Sequence, residues 1–489
     1  MRRADGGTLD DGMVEVELVG EQADGPDPSE RAQSPPSPGR TGPEPREDHA
    51  LRDPHPRRHL LRTAPAMGLG LVVLLGLGLT VVEQRRDEAL VASVAHVPGL
   101  STSLREPLVE RWQTGGPTSV AGGLVLGRQM VDGQSRTVAH DARTGEVRWA
   151  APSGIDAAGS PLRCRTAVAG DALLVCMISG GGVRAPNSDA VLGGLPGRLL
   201  LLDAEDGSVR DERPLNSRTV GWDVLEEDLV LARRESGALH ISRSRLVSRE
   251  VVWSVEVPLA RDVRARQVVL GVAHGLVVVE GRMAVVVDGR DGEVLGTWDP
   301  EGRRVQPVQV QTGPLGFAVW RTPREAQWFD RDGHAGATLP GSPLEAVVDD
   351  GSSPHVTLVQ DRADLLAVDV RTGEVLWRGP PVRRALTRID GLVVVEGGGS
   401  LHAIDLATGE GRWSAALGPD SVPGFSPVTD GVRLLVPGYE VATGRQVTAV
   451  DLRDGTPRWT LPLPGRGSAL SVDDGVVRVR FGTQVAIFG

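Results

Sequence analysis

The sequence contains no lysine, so all 53 of its strong cations are arginines, and it contains only two cysteines and two asparagines. Two cysteines exclude a zinc site built from four thiolates and a dense disulfide framework. Net basic charge is also missing, because the formal charge is −11. Since binding of nucleic-acid phosphates needs a basic face, we expect no nucleic-acid partner, and no metal site is predicted.

Glycine and proline, by contrast, are abundant, with 63 and 35 residues. Both residue types favour turns, so a mainly helical protein is disfavoured. A chain of 489 residues also exceeds one ordinary domain. The chain is therefore expected to contain more than one structural zone.

Residues 1–62 form the first zone and contain nine prolines, thirteen acidic residues and nine arginines. Such a segment has too few aliphatic residues to offset the entropy of ordering it. The composition predicts a disordered, proline-rich, acidic tail.

Residues 63–82 read TAPAMGLGLVVLLGLGLTVV and carry no charge. A helix of this length would cross the ~30 Å hydrocarbon core of a bilayer. Four arginines lie just before the stretch (52, 57, 58 and 62), whereas the two that follow it (85 and 86) are accompanied by three acidic residues. This arginine excess predicts that the tail is cytoplasmic and the rest of the chain extracytoplasmic. A cleaved signal peptide is the alternative, but some 60 residues precede the stretch. We therefore expect a single-pass signal anchor in the cell membrane, followed by a charged juxtamembrane linker at 83–106.

One phrase recurs through the remaining chain: an aliphatic strand, Asp, two residues, Thr or Asp, Gly, three residues and Trp. Its four best copies are AHDARTGEVRW, AVDVRTGEVLW, AIDLATGEGRW and AVDLRDGTPRW. Weaker copies follow Asp203 and Asp288, and decayed ones surround Trp253 and Asp330. The repeat residues of the four best copies are Asp141, Gly145, Trp149, Asp369, Gly373, Trp377, Asp405, Gly409, Trp413, Asp451, Gly455 and Trp459.

Each part of the phrase has a structural reason. The Asp carboxylate can accept backbone N–H groups two residues ahead, and the Gly can adopt the positive φ of a reversal. The Trp supplies a large apolar surface that only a neighbouring unit can cover. The pattern within each repeat unit predicts about four short antiparallel strands, which is the size of one propeller blade.

The two ends of this region complement each other. The stretch ending in Trp112 resembles the end of a unit, and residues 471–489 resemble a unit cut off before its Asp turn. We therefore expect one composite blade that closes a ring. The fold class predicted for 107–489 is all-β: an eight-bladed propeller, with seven to nine blades possible, of four-stranded antiparallel blades.

The repeat phrase resembles that of the quinoprotein-type (PQQ-like) β-propellers, a family that includes quinone-dependent alcohol dehydrogenases and the non-enzymatic propeller BamB. The resemblance implies the fold but not an activity. The dehydrogenases have adjacent cysteines against the quinone, an Asp base, and Glu and Asn around calcium. This chain has no adjacent cysteines, and its asparagines are Asn187 and Asn216. We therefore expect no cofactor and no catalytic residues.

Cys164 and Cys176 flank a stretch that is typical of a β-hairpin. A turn at 169–171 would place the two residues opposite each other on neighbouring strands. Outside the cytoplasm this arrangement predicts a disulfide.

Residues 178–200 and 211–222 resemble the repeat least and are the predicted binding rim, with Arg184, Asn187, Asp189 and Trp222 as candidate contacts. The predicted function is non-catalytic: a membrane-anchored scaffold or sensor that binds an envelope protein or glycan. The alternative is a quinone-dependent or other quinoprotein-like dehydrogenase.

Overall fold

The computed structural model describes residues 85–94, 97, 99–116, 118–131, 134–151, 163–167, 173–178, 182–184, 191–194, 197–215, 218–259, 269–299, 307–417, 426–440, 444–464 and 469–489. All of them belong to one compact unit, residues 73–489. The predicted tail and the predicted membrane span lie outside the described residues. Among those described, no helix has both the length and the apolar character that a membrane span requires.

Most described residues form antiparallel sheets in which consecutive strands are neighbours, the arrangement of propeller blades. The middle strands are rich in Val, Leu and Ile and are buried almost throughout; Leu276–Glu280 and Ala284–Asp288 are examples. Their branched side chains fill the layers between adjacent sheets. We number the blades in chain order.

Blades 1 to 4 are formed by the following strands: blade 1 by β2 (Ser119–Ala121), β3 (Leu124–Val131), β4 (Gln134–Asp141) and β5 (Val147–Ala150); blade 2 by β6 (Arg163–Thr166), β7 (Leu173–Ile178), β10 (Arg198–Asp203) and β11 (Val209–Pro214), with a separate hairpin of β8 (Gly182–Arg184) and β9 (Val191–Gly194); blade 3 by β12 (Thr219–Leu225), β13 (Asp228–Glu235), β14 (Ala238–Arg245) and β15 (Val251–Pro258); blade 4 by β16 (Val269–Ala273), β17 (Leu276–Glu280), β18 (Ala284–Asp288) and β19 (Val294–Trp298).

Blades 5 to 8 continue the pattern: blade 5 has β20 (Gln309–Gly313), β21 (Gly316–Thr322), β22 (Glu325–Asp330) and β23 (Ala335–Leu339); blade 6 has β24 (Ser342–Pro343), β26 (Val356–Asp361), β27 (Asp364–Asp369) and β28 (Val375–Pro381); blade 7 has β25 (Ala346–Asp349), β29 (Arg384–Ile389), β30 (Leu392–Gly397), β31 (Ser400–Asp405) and β32 (Gly411–Ala416); blade 8 has β33 (Val428–Thr429), β34 (Arg433–Glu440), β35 (Gly444–Asp451) and β36 (Pro457–Pro462).

Blade 9 joins the two ends of the folded region. Strands β37 (Ala469–Asp473), β38 (Val476–Phe481) and β39 (Gln484–Phe488) pair in sequence, and β1 (Glu110–Gly115) pairs antiparallel with β39. Strand β37 contacts β2 of blade 1 and β33 of blade 8. The predicted composite blade is therefore confirmed, and it closes the ring.

The predicted number of eight blades is one too low, although nine lies within the expected range of seven to nine: the described residues form nine such sheets. Both decayed phrases belong to complete blades, blade 3 around Trp253 and blade 5 around Asp330. In blade 3, Arg249 adopts φ +63° at the place where other copies have glycine. The turn geometry therefore survives where its usual residues are lost.

One departure from four antiparallel strands lies between blades 6 and 7. Strand β24 pairs antiparallel with β26 of blade 6, and β25, directly after it, pairs parallel with β29 of blade 7. Blade 7 therefore has five strands.

Candidate functional site

Two faces of the ring can be distinguished by their connections. The turns between the first and second strands and between the third and fourth strands of a blade lie at the same end, and backbone bonds join them: the N–H of Leu406 donates to the carbonyl of Gly391 at 2.8 Å, and that of Leu452 to Val432 at 2.9 Å. We call this end the turn face. At the opposite end, the loop face, lie the ends of the strands that flank the longest connections, namely those over 151–162, 179–197, 259–268, 299–308 and 417–427.

The repeat aspartates organise the turn face. Oδ1 of Asp405 accepts the N–H groups of Ala407 and Thr408 at 3.1 and 3.0 Å, and Oδ1 of Asp141 accepts those of Arg143 and Thr144 at 3.0 and 2.9 Å. The predicted Asx geometry is present at these positions. These carboxylates hold turns together and are not available as general bases.

Arginines hold the second oxygen of several of these aspartates. Arg371 donates to Oδ2 of Asp369 at 2.6 Å, and Arg458 donates to that of Asp451 at 2.7 Å. The Arg371 guanidinium, together with a backbone N–H, lowers the pKa of Asp369 to about 2. Asp369 therefore stays ionised at neutral pH.

Repeat tryptophans join several of the blades to the next one. The indole N–H of Trp149 donates to the carbonyl of Ala204 at 2.9 Å, that of Trp377 to Leu406 at 2.8 Å, and that of Trp413 to Leu452 at 2.8 Å. Each acceptor directly follows the repeat aspartate of the next blade. The predicted role of tryptophan as a surface between blades is confirmed, with a directional hydrogen bond added.

Steric contact with the indole of the preceding blade is a second reason why this repeat position is glycine. A Cβ at Gly409, where φ is +76°, would lie 2.6 Å from Cγ of Trp377. A Cβ at Gly455 would lie 2.7 Å from Cδ2 of Trp413. The indole of one blade thus lies directly on the glycine turn of the next, and a side chain there would displace it.

At the interface between blades 2 and 3, both the repeat tryptophan and the repeat glycine are replaced by other residues. Asp211 stands in the tryptophan position and forms an ion pair with Arg249, which stands in the glycine position. Arg213 donates to Asp211 at 2.8 Å and also to the carbonyl of Leu246, the acceptor an indole would use. Burial opposes ionisation of Asp211, but the two guanidiniums outweigh it and lower the pKa.

The last interface uses the segment that precedes β1. The indole N–H of Trp459 donates to the carbonyl of Leu104 at 2.8 Å, and the N–H of Leu104 donates to Oδ2 of Asp430 at 2.7 Å. Leu104 is fully buried. The chain before β1 therefore supplies the turn that the C-terminal half of blade 9 lacks.

A short helix, α1 (85–94), lies on the turn face over blades 7 and 8, within the segment predicted as a linker. Asp87 forms ion pairs with Arg433 and Arg453, both at 3.1 Å. Leu90 and Val94 pack into the core cluster of these blades. A cavity of about 330 Å³ opens beside the helix, lined by Leu90, Leu392, Val432 and Leu452 with Arg86 and Arg412 among its polar residues.

The cysteines form the predicted disulfide. Cys164 on β6 faces Cys176 on β7, with 4.0 Å between their Cα atoms. Both are buried in the cluster between blades 1 and 2. A bond across two strands inside a blade does not fit the adjacent pair that lies against the quinone in the dehydrogenases.

Two carboxylates on the first strands of their blades have arginine partners. Asp223 on β12 pairs with Arg165 at 2.9 Å and accepts the N–H of Val272 at 3.0 Å, while Asp473 pairs with Arg478 at 3.1 Å. Burial raises the pKa of Asp223 and of Asp473. Groups already matched by arginine do not fit a calcium–quinone site, so we derive no chemistry through that group.

One cluster has residue types that bind metals. Asp330, Asp332 and His334 lie together on an exposed turn of blade 5. Oδ1 of Asp330 accepts the N–H groups of Asp332 and His334 at 3.0 and 2.8 Å, so the turn itself explains the grouping.

The predicted rim residues are only partly placed. Arg184 ends strand β8 of the hairpin on the loop face. Trp222 lies on β12, the first strand of blade 3, and packs against the cluster between blades 2 and 3. Asn187 and Asp189 lie outside the described residues. The structure therefore assigns no common site to Arg184 and Trp222, the two that it describes.

Comparison with known proteins now places the chain. The model of one protein family, described as outer membrane protein assembly factor BamB, matches residues 133–301 and 397–487. The chain belongs to this family. The repeats are thus of the PQQ-like propeller type, as the sequence predicted. No curated protein matches the chain.

Solved structures similar to this BamB-type propeller include enzymes and a non-enzyme. BamB from Moraxella catarrhalis is 14% identical, with a TM-score of 0.41, covering 78% of this chain and 98% of that one. A europium-containing methanol dehydrogenase is 11% identical, with a TM-score of 0.38, covering 78% and 86%. The quinohemoprotein alcohol dehydrogenase from Comamonas testosteroni is 12% identical, with a TM-score of 0.39, covering 80% and 78%.

Proposed function

We propose that this protein is a membrane-anchored, extracytoplasmic β-propeller that acts without catalysis, as a scaffold or sensor that binds an envelope protein or glycan through its loop face. The observation that carries the proposal is the difference between the two faces. Turn-face aspartates and tryptophans are used within the fold, whereas the strands that flank the longest connections begin and end at the loop face. Long connections on a rigid scaffold are the usual location of binding residues.

The anchor rests on the sequence and agrees with the chemistry of the cysteines. The charge-free stretch 63–82 and the arginines before it favour a span with the tail in the cytoplasm. A disulfide between Cys164 and Cys176 supports an oxidising compartment for the propeller.

A pull-down from envelope extracts tests the binding role. The full-length protein in detergent is compared with a variant in which residues 180–196 are replaced by a short Gly-Ser turn, and with a control variant in which only 261–266 are replaced. We expect a discrete protein or glycan partner with the parent and the control, and its loss with the first variant. Equal recovery from all three would remove this hairpin from the binding surface.

The dehydrogenase alternative has its own test. Added pyrroloquinoline quinone and calcium should leave the absorbance spectrum of the quinone unchanged and support no dye-linked oxidation of alcohols. A spectral shift together with turnover would replace the binding proposal by an enzymatic one.

A further inference from the structure

Among the described residues, the turn face exposes more large apolar side chains than the loop face does. Large apolar side chains are left exposed around the turn face on blades 1 to 4, blade 5 and the entry to blade 9: Val109, Val147, Val209, Val247, Val251, Val294 and Leu315. We call this set the apolar arc. On the loop face the exposed counterparts among the described residues are Met130 and Val269. Three further exposed residues, Val252, Val347 and Leu376, are the second residues of their strands and belong to neither set.

The members of the arc share one structural position. Val147, Val209, Val251 and Val294 each begin the outermost strand of their blade, directly after the turn that follows the third strand. Val147 and Val251 are 58% and 59% exposed. An exposed aliphatic side chain repeated on adjacent blades indicates a contact surface, since isolated ones need no explanation.

Helix α1 occupies the other side of the same face. Its Asp87 is held by Arg433 and Arg453, and its Val94 packs so closely that a Cβ on Gly431 would lie 2.6 Å from it. The helix is thus fixed to blades 7 and 8, away from the arc on blades 1 to 4.

The position of α1 in the chain limits where this face can be. Asp87 lies five residues after Val82, the last residue of the predicted span. Five residues extend at most about 18 Å. The loop face lies farther away by the length of a strand such as Leu392–Gly397, about 20 Å.

We propose that the turn face is the membrane-facing surface of the propeller, held to the bilayer by α1 on one side and by the apolar arc on the other. This inference rests on the proposed anchor at 63–82. The partner is the lipid surface of the same membrane, and the loop face points away from it.

Fluorescence quenching tests the orientation. The full chain is reconstituted in nanodiscs that contain lipids with a nitroxide on the headgroup, and single cysteines carry a fluorophore. Ser248→Cys and Ser236→Cys probe the turn face and the loop face of blade 3, and Ala407→Cys and Ala363→Cys probe the turn face of blade 7 and the loop face of blade 6. All four positions are exposed. The native cysteines stay bonded when reductant is omitted.

We expect labels at 248 and 407 to be quenched several-fold more than those at 236 and 363. Asp87→Asn should reduce the quenching at 407, because it removes the ion pairs of Asp87 with Arg433 and Arg453, whereas Glu227→Gln, on an exposed turn of blade 3, should not. Changing Val147, Val209 and Val251 to Glu should reduce the quenching at 248 but not at 407; changing Met130 and Val269 to Glu should affect neither.

Two results would overturn the inference: one refutes only the orientation of the propeller, and the other also refutes the membrane anchor. Equal quenching on both faces, or stronger quenching at 236 and 363, in protein that floats with lipid vesicles would refute the orientation and keep the anchor. Failure of the full chain to float with vesicles would remove the anchor, and the orientation with it.

Discussion

Gly409 and Gly373 lie in equivalent turns, and replacing each by alanine separates the cost of the positive φ from the cost of a steric clash. Gly409 and Gly373 have φ of +76° and +75°. A Cβ at Gly409 would meet Trp377 at 2.6 to 2.9 Å, whereas a Cβ at Gly373 would meet Cβ of Ala337 at 3.0 Å, because blade 5 has no tryptophan there. An alanine in each place therefore carries the same backbone cost and a different steric cost.

The magnitudes follow from these contacts. The left-handed backbone costs about 1–2 kcal/mol for either alanine. At Gly409 the indole must also shift, which strains its packing by about 1–3 kcal/mol and weakens its 2.8 Å bond to the carbonyl of Leu406. We expect Gly409→Ala to lower the free energy of unfolding by about 2 kcal/mol more than Gly373→Ala does.

Guanidinium unfolding of the detergent-solubilised protein, followed by tryptophan fluorescence, measures the difference. The control is the same pair of substitutions in a Trp377→Ala background, where the indole is gone and the two alanines should cost equally. Equal costs in the parent protein would refute the claim that the indole determines the glycine.

Three further predictions concern other parts of the fold. Asp369→Asn should destabilise the protein at neutral pH, and the difference from the parent should shrink as pH falls from about 4 towards 2 in thermal melts, because the pKa of Asp369 is lowered to about 2 and its contribution is lost on protonation; a difference independent of pH would contradict this. Asp211→Trp alone should destabilise the interface between blades 2 and 3 by crowding Arg249, and adding Arg249→Gly should restore most of the melting temperature; no rescue by the second change would count against the exchange of partners. Replacing Cys164 and Cys176 by serine should lower the free energy of unfolding by about 3 kcal/mol, measured against the parent with and without reductant; a parent insensitive to reductant and equal to the variant would show that the bond adds nothing.

Local chemistry made much of the fold predictable. The Asp turns, the hairpin of Cys164 and Cys176, and the joining of both ends in blade 9 each follow from residue types within a short stretch or from two complementary fragments. Arginines such as Arg371 and Arg458 also recur near the aspartates they bind, a signal present in the sequence that the repeat phrase did not include.

Features set by contacts between blades were not predictable in the same way. The number of blades was one too low because a decayed copy could not be told from an insertion. In blade 3 Arg249 with positive φ replaces glycine, and its partner Asp211 lies 38 residues away, so neither alone indicates a turn. Trp222 was assigned to an insertion, yet it packs between blades 2 and 3. The place of α1 on the turn face depends on Asp87 meeting two arginines more than 340 residues later, which no local pattern indicates.

Photo-crosslinking in intact cells tests most directly whether the loop face, and not the turn face, binds the partner. A photoreactive amino acid is placed at exposed positions of the loop face, Met130 and Ala363, and of the turn face, Ser248 and Ala407. We expect discrete adducts with an envelope protein or glycan from the loop face and none from the turn face. Adducts from the turn face alone would contradict it.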